Sequence, residues 1–373
     1  MKDDLQKLTE RLLSAARKAG AEAADAVALN DAAVSIDVRQ GKLEQAERAE
    51  STEIGLRVIV GRKQACVASS DLSDQTIAQM AERAVLMARE APEDATVGLA
   101  DPSEIARDWD LAAFDLCDPA DEPGAAALEA DARTAEAAAL GVPGVTMPES
   151  ASASYRHRRV HMAATNGFSG AYARTSRSIS AVAISGEGLT MERDWAAESR
   201  VYQSDLPDPT EVGLLAGQRA AGRAGPRKPR TGAHPVVYDE RIASGVIGHL
   251  MAAVNGSSIV RGSSWLRDAL GQQVLPAGLS VVEDPHRPRI SGSRPFDDEG
   301  LATRRREVVA DGVLTGWTLD LGTARRLGMH RRSLQRKLAR VEKRCRRLAS
   351  VLRLLFVLLR VLKPDLSRLR FAG

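Results

Sequence analysis

Aromatic residues are scarce in this chain, with 5 Phe, 4 Trp and 4 Tyr among 373 residues, or 3%. That scarcity argues against a stacking platform of the kind that holds single-stranded nucleic acid. Cysteine is nearly missing too. Cys66, Cys117 and Cys345 are far apart, odd in number and in no C-x-x-C pair; this excludes a structural zinc knuckle and fits a reduced cytoplasmic protein. The opening "MKDDLQKLTERL" holds no apolar signal region. The apolar run "VLRLLFVLLRVL" near the other end is broken by Arg353 and Arg360, short of the roughly 20 apolar residues of a membrane span. No G-x-S-x-G nucleophile motif occurs, and Gly256 and Gly262 lack the lysine that a phosphate loop needs.

What is present is an ordinary soluble composition, 44% hydrophobic and 27% charged, at a length for which two domains are the expectation. The net charge of +3 conceals an asymmetry. Residues 329–373 hold 14 Lys or Arg against 2 Asp or Glu, leaving 38 against 47 in the preceding 328 residues. An acidic body therefore carries a strongly basic end, and attraction to nucleic acid belongs to that end alone.

Periodicity divides the body. Leu5, Leu8, Leu12 and Ala16 predict an amphipathic helix ended by Gly20. Val34, Ile36 and Val38, then Ile54, Leu56, Val58 and Val60, alternate with polar residues and predict strands, with turns at Gly41 and Gly61. A helix with Asp74 as its cap follows, carrying Ile77, Met80, Ala81, Ala84 and Met87 on one face and stopped by Pro92. An alanine-rich helix is expected over 122–140 and antiparallel sheet over "SASYRHRRVHMAATNGFSGAYARTSRSISAVAIS". "GRAGPRKPRTGAHP" marks a boundary. Beyond it come a short strand "PVVYD", a helix capped by Asp239 and closed by Asn255 and Gly256, and a hairpin turning at Asp311 and Gly312. The expected class is α+β in two domains: helices packed on antiparallel or mixed sheets over 1–222, and a partial, strand-rich second domain cut short over 235–328. A basic helical tail is expected over 329–373.

Three groups of residues are candidates for chemistry. His249 lies on the helix after Asp239, but its neighbour is Leu250 and the next turn offers Ala253 and Val254; a helical zinc site needs a second histidine and a glutamate base there. It reads as a groove-facing or partly buried histidine rather than a ligand. His157 and His161 are four apart in a strand-like stretch, about 13 Å along the chain, and Arg156, Arg158 and Arg159 beside them repel a cation. "FDDEG", with Asp297, Asp298, Glu299 and Gly300, suits a cation, a peptide backbone or simply a solvated turn.

The stretches "GLRVIVGRKQACVASSDLS", "HPVVYDERIASGVIGHLMAAVNGSSIVRGSSWL" and "RPFDDEGLATRRREVVADGVLTGWTLDLGTARRLG" together resemble the PmbA/TldE branch of the TldD/PmbA metalloprotease family, collinearly over about residues 1–328. In that family the TldD-type subunit carries an H-E-x-x-x-H helix that binds zinc and cleaves peptides, and the PmbA/TldE-type partner lacks those ligands. Here His249 stands at the first histidine position, Leu250 replaces the glutamate and Val254 replaces the second histidine. The resemblance implies a cytoplasmic subunit that is silent alone, with no catalytic residue, no metal ligand and no cofactor of its own. Zinc is expected in a TldD-like partner. It further implies peptide maturation or degradation and the family's historical link to DNA gyrase modulation. A groove for peptide or partner is placed at His249 and at Asp297, Asp298, Glu299 and Gly300, helped by a strand edge at "PVVYD".

After Met329 the resemblance ends, where the family continues for roughly another hundred residues. "TARRLGMHRRSLQRKLARV" instead resembles the end of a Fis-type helix-turn-helix, with Thr323 to Leu327 as its second helix and Arg332 to Ala339 as its recognition helix. The upstream "GVLTGWTLDLG" is strand-like, so the supporting first helix is missing. The tail is open to three readings: a gene end without a role, a helix packed on the shortened domain, or an appendage touching DNA or an anionic surface. The last makes DNA binding the alternative function.

Overall fold

A computed structural model describes residues 2–329. These form two compact units. Of the described residues, the first comprises those up to 237 together with 284–305, and the second comprises 238–283 and 306–329.

In the first unit, α1 (Lys2–Ala19) leads into β1 (Ala23–Arg39), β2 (Lys42–Val60) and β3 (Lys63–Ser69), followed by α2 (Asp74–Glu90). A single turn, α3 (Leu111–Phe114), and α4 (Ala125–Leu140) precede β4 (Val145–Ala164), β5 (Ser169–Ser185) and β6 (Glu192–Arg200); α5 (Pro209–Gly222) closes the series. The six strands make one sheet in the order β3-β2-β1-β4-β5-β6, and each neighbouring pair is antiparallel.

Alternation decides which face of this sheet is covered. Ala24, Ala26 and Ala28 of β1 with Ile54, Leu56 and Val58 of β2 pack against Leu5, Leu8 and Leu12 of α1 and Ile77, Met80 and Ala84 of α2. Farther along the same strands, Val34, Ile36 and Val38 of β1 with Ala151 and Ala153 of β4 and Ile179 of β5 pack against Leu128 and Ala132 of α4 and Val212 and Ala216 of α5. Both clusters use residues of one parity, so both helix pairs lie on one face. The other face carries Asp25, Asp31, Arg156, Arg158 and Arg174, the alternate positions of the same strands.

The β1–β2 turn shows how a helix is locked to the sheet. Gln40 and Gly41 both have positive φ, 53° and 69°, the geometry a two-residue hairpin loop requires. Their backbone N–H groups donate to the two carboxylate oxygens of Glu136 on α4, at 2.6 and 2.5 Å, and so justify a carboxylate that is almost wholly buried. Elsewhere α4 and α5 approach backbone to backbone. A Cβ at Gly213 would collide with the Ala135 carbonyl.

Three local expectations need correction. Ser73, not Asp74, caps α2: its hydroxyl accepts from the Thr76 N–H at 3.2 Å, while Asp74 is the first helical residue and pairs with Arg11 at 2.6 Å. The alanine-rich helix starts at Ala125 rather than at residue 122, because Pro123 disfavours helical backbone at Glu122 and Gly124 is the cap. "PVVYD" is not a strand. Val236 and Val237 are 71% and 94% exposed, and no ladder pairs them among the described residues; β-branched residues alone do not make a strand without a neighbour to bond.

In the second unit, α6 (Glu240–Ala253) and α7 (Gly256–Arg261) precede β7 (Val281–Glu283), β8 (Arg306–Ala310), β9 (Val313–Leu314) and α8 (Leu321–Arg326). The three strands form a small antiparallel sheet. Asp311 and Gly312 make the predicted hairpin turn, both at positive φ. Leu250, Ala253 and Val254 pack with Leu266, Val308, Val309 and Leu314 into a core. Residues 284–305 leave this unit between β7 and β8 and cluster with the first, although they fall within the segment expected to be one partial domain.

Gly213→Ala is expected to destabilise the chain by about 2 kcal/mol, within the range for overpacking a tight contact. Gly222→Ala, in the same helix but with nothing within 4 Å of its Cβ, is expected to be neutral or slightly stabilising. Urea midpoints of the two variants check the pair, and equal effects would refute the close approach of α4 and α5.

Candidate functional site

His249 is positioned by a helix with defined ends. The Asp239 carboxylate accepts from the Arg241 N–H at 3.0 Å, as predicted for the cap. The helix stops at Ala253; Asn255 caps α7 instead of closing α6, accepting from Ser257 N–H at 3.0 Å. The Val254 carbonyl accepts from Thr318 N–H at 2.9 Å and the Thr318 carbonyl accepts from Gly256 N–H at 2.7 Å, which pins the helix end. Along α6 the faces separate sharply. Leu250 and Val254 point into the core, whereas His249 is exposed, as are Ile242, at 60%, Val246 and Ile247.

Asp297, Asp298, Glu299 and Gly300 sit in the first unit, so the structure assigns them and His249 to different units. Phe296 anchors their turn: its ring is 5.0 Å from those of Trp109 and Phe168 and 5.7 Å from that of Tyr172. Asp297 folds the turn upon itself, its Oδ1 accepting from Glu299 N–H at 2.9 Å and Leu301 N–H at 3.0 Å. Gly300 has φ 74°, and a Cβ there would meet the Phe168 ring at 2.7 Å. Asp298 projects outward, with its side chain 91% exposed and 3.8 Å from Arg294. Asp297 and Gly300 thus build the turn, and Asp298 presents charge.

His157 and His161 do not act as a pair. Both occupy the helix-covered face of β4, between the two helix pairs. His161 is buried, its Nδ1 2.9 Å from the Thr9 hydroxyl and its Nε2 3.4 Å from that of Ser169; burial pushes its pKa down. Burial, then Arg159, does the same to His157, whose Nε2 is 3.8 Å from Cys117 Sγ. A cavity of about 340 Å³ lies beside His161, lined among others by Leu5, Leu111, Leu116, Cys117 and Ala171. Arg156 and Arg158 belong to the opposite face, so only Arg159 shares a face with the two imidazoles.

That opposite face was not anticipated as a site, although the alternation within "RHRRVH" already separates its arginines from the histidines. Asp31 bonds both Arg156 and Arg158. The Arg156 hydrogen bond chiefly, against the opposing effect of burial and with help from Arg158, holds the Asp31 carboxyl down to about 2.

The arrangement has relatives. Three family models match in succession: PmbA/TldA metallopeptidase domain 1 over 24–88, its central domain over 118–224 and its C-terminal domain over 231–342. Metalloprotease PmbA of Escherichia coli O157:H7 is 34% identical over 296 residues, covering 79% of this chain and 65% of that protein. A Haemophilus influenzae homologue of PmbA is 31% identical over 332 residues, covering 87% of this chain and 72% of the other. The chain belongs to the PmbA/TldD metallopeptidase family, in its PmbA/TldE branch. Two solved structures share the fold. One is a Bacteroides thetaiotaomicron protein named for modulation of DNA gyrase, with TM-score 0.81 and 24% identity, covering 87% of this chain and 74% of that one. The other is TldE from Thermococcus kodakarensis, with TM-score 0.72 and 16% identity, covering 87% and 72%. The chain spans 65% of the length of the Escherichia coli relative.

The metal in the family's name does not fit this chain's helix. A zinc site needs converging imidazole, carboxylate or thiolate donors, and the side chains flanking His249 on α6 toward the core are aliphatic. Among the described residues no three His, Cys, Asp or Glu side chains are grouped to hold a metal ion. The resemblance to a Fis-type helix-turn-helix is also limited. Asp320 and Thr323 cap α8 reciprocally, Leu321 and Ala324 are buried, and the upstream strand β9 ends at Leu314 with no helix between; Arg332 to Ala339 lie outside the described residues. No described helix is long and apolar enough to cross a membrane.

Asp31→Asn is expected to cost stability at neutral pH, with the loss shrinking as pH falls. A carboxyl depressed from 3.8 to about 2 contributes fully above its ordinary value and loses that contribution as the pH falls through the lower one. Urea titrations of both proteins at pH 7, 4 and 2.5 read the difference, and a constant difference would contradict the assignment.

Proposed function

We propose that this chain is the non-catalytic subunit of a TldD/TldE-type zinc metalloprotease complex, acting in the cytoplasm on peptides. The observation that carries this reading is the orientation of α6. Peptide hydrolysis at zinc requires the metal to polarise a carbonyl and activate water, and a carboxylate to move the proton. Where the resemblance puts the glutamate and second histidine of the TldD-type helix, Leu250 and Val254 fill a hydrophobic core. Restoring those side chains by mutation would bury charge in that core at the expense of packing. His249 alone remains outside.

The chemistry, and the zinc, then belong to a TldD-like partner, and this chain supplies surface. Its exposed segment around Val236, Val237 and Tyr238 joins no strand ladder among the described residues, so a peptide or partner strand can add there. Asp298 supplies a projecting carboxylate for a peptide N–H or cation.

Zinc content and peptide cleavage, measured for this chain alone, for a TldD-like subunit alone and for the two co-purified, test the reading. Activity confined to a stable zinc-containing mixture is expected. Stoichiometric zinc with cleavage by this chain alone would sink it. Within the active mixture, Asp298→Ala is expected to raise KM severalfold with kcat little changed; unchanged turnover at all substrate concentrations removes Asp298 from the groove.

A further inference from the structure

The row of residues crossing the helix-free face of the first unit's sheet is unbalanced in charge. Asp31, Arg158 and Arg174 are direct neighbours on β1, β4 and β5. Arg158 and Arg174 are therefore like charges opposite one another, at about 5 Å between Cβ atoms, an arrangement that is destabilising by itself. The one carboxylate in the row is already shared. Asp31 takes both Arg156 and Arg158, so three guanidinium groups face a single negative charge.

Among the described residues Arg174 pairs with no carboxylate. Its Nη2 donates to the Ser293 carbonyl at 2.6 Å, and its guanidinium lies 5.7 Å from the Tyr172 ring. The Nε atoms of Arg158 and of Arg174 are both buried and find no hydrogen-bond partner among the described residues. Orphaned donors of this kind are rare in native proteins and costly to leave unmade. Burial chiefly, against an opposing effect of Tyr172 and with help from the neighbouring Arg294 and Arg158, pushes Arg174 below the usual guanidinium range. Arg158 nonetheless keeps 40% of its side chain exposed, so the row is reachable from solvent.

We propose that Arg158 and Arg174 form a carboxylate-binding site on the helix-free face of the sheet. Two guanidinium groups on adjacent strands can each donate to one carboxylate oxygen, the charge-assisted geometry arginine favours. The carboxylate can come from a peptide C-terminus or from a small free acid. Only the first source rests on the peptide reading above.

Isothermal titration of the full chain with three probes tests this: an N-acetylated tripeptide ending in a free carboxylate, the same tripeptide ending in an amide, and acetate. The free-acid tripeptide is expected to bind about tenfold or more tightly than the amide, the scale of one charge-assisted pair. Arg174→Gln, which keeps a donor for the Ser293 carbonyl, should abolish the difference; Arg158→Gln serves as the second variant if the first does not fold. Acetate binding that requires Arg174, with the two tripeptides indistinguishable, supports the site with a small acid as its ligand and separates it from peptide handling. Failure of every carboxylate probe to bind, or a free-acid preference that survives in both variants, overturns it.

Discussion

The covering of one face of the six-stranded sheet by two helix pairs is the constraint on which the first unit depends. The strands β1, β4 and β5 are 17, 20 and 17 residues long, long enough to run beneath both helix pairs. Their period of two sends Ala24, Val34, Ile36, Ala153 and Ile179 toward the helices and Asp31, Arg156, Arg158 and Arg174 to the other side. A one-residue slip in any pair would exchange the two faces. Register is held by devices such as Glu136, whose carboxylate grips the β1–β2 turn from α4.

The same sorting creates the polar surface. Residues such as Asp31, Arg156, Arg158 and Arg174 can exist in quantity on the strands because that face does not have to pack against a helix. Among these four, three guanidinium groups stand against one carboxylate. Residues 284–305 add to the first unit with an aromatic anchor at Phe296 and with Arg289, which bonds Asp115 at 2.6 Å and lies 3.7 Å from the Tyr202 ring. The sheet is thus decorated with charge by its own strands and by a segment that returns to it from far along the chain.

The second unit makes the opposite use of a helix. On α6, the positions at which a zinc-bearing helix needs donors are given to aliphatic packing, and the outward face keeps a single imidazole among apolar side chains. A helix that is buried on one side and apolar on the other is suited to contact with something else, and this is the physical basis for reading the chain as one part of a larger assembly.

Much of this was legible in residue order. The helix of Leu5, Leu8, Leu12 and Ala16, the strands through Ile36 and Leu56, the hairpin at Asp311 and Gly312, and the isolation of His249 all follow from local period or spacing, which the chain carries without reference to distant residues. The family resemblance followed from collinear motifs. Expectations failed where a partner decides the outcome: Val236 and Val237 have strand-forming side chains but no neighbouring strand, and the cap of α2 passed to Ser73 because a hydroxyl at that step reaches the Thr76 N–H. By itself, then, the sequence determined the alternation, the helix faces and the aliphatic Leu250 and Val254 that accompany His249. Only tertiary structure decided that Arg158 stands opposite Arg174, that Asp31 is shared, and that residues 284–305 rejoin the first unit, because each depends on contacts between segments far apart in the chain, and local periodicity carries no information about them.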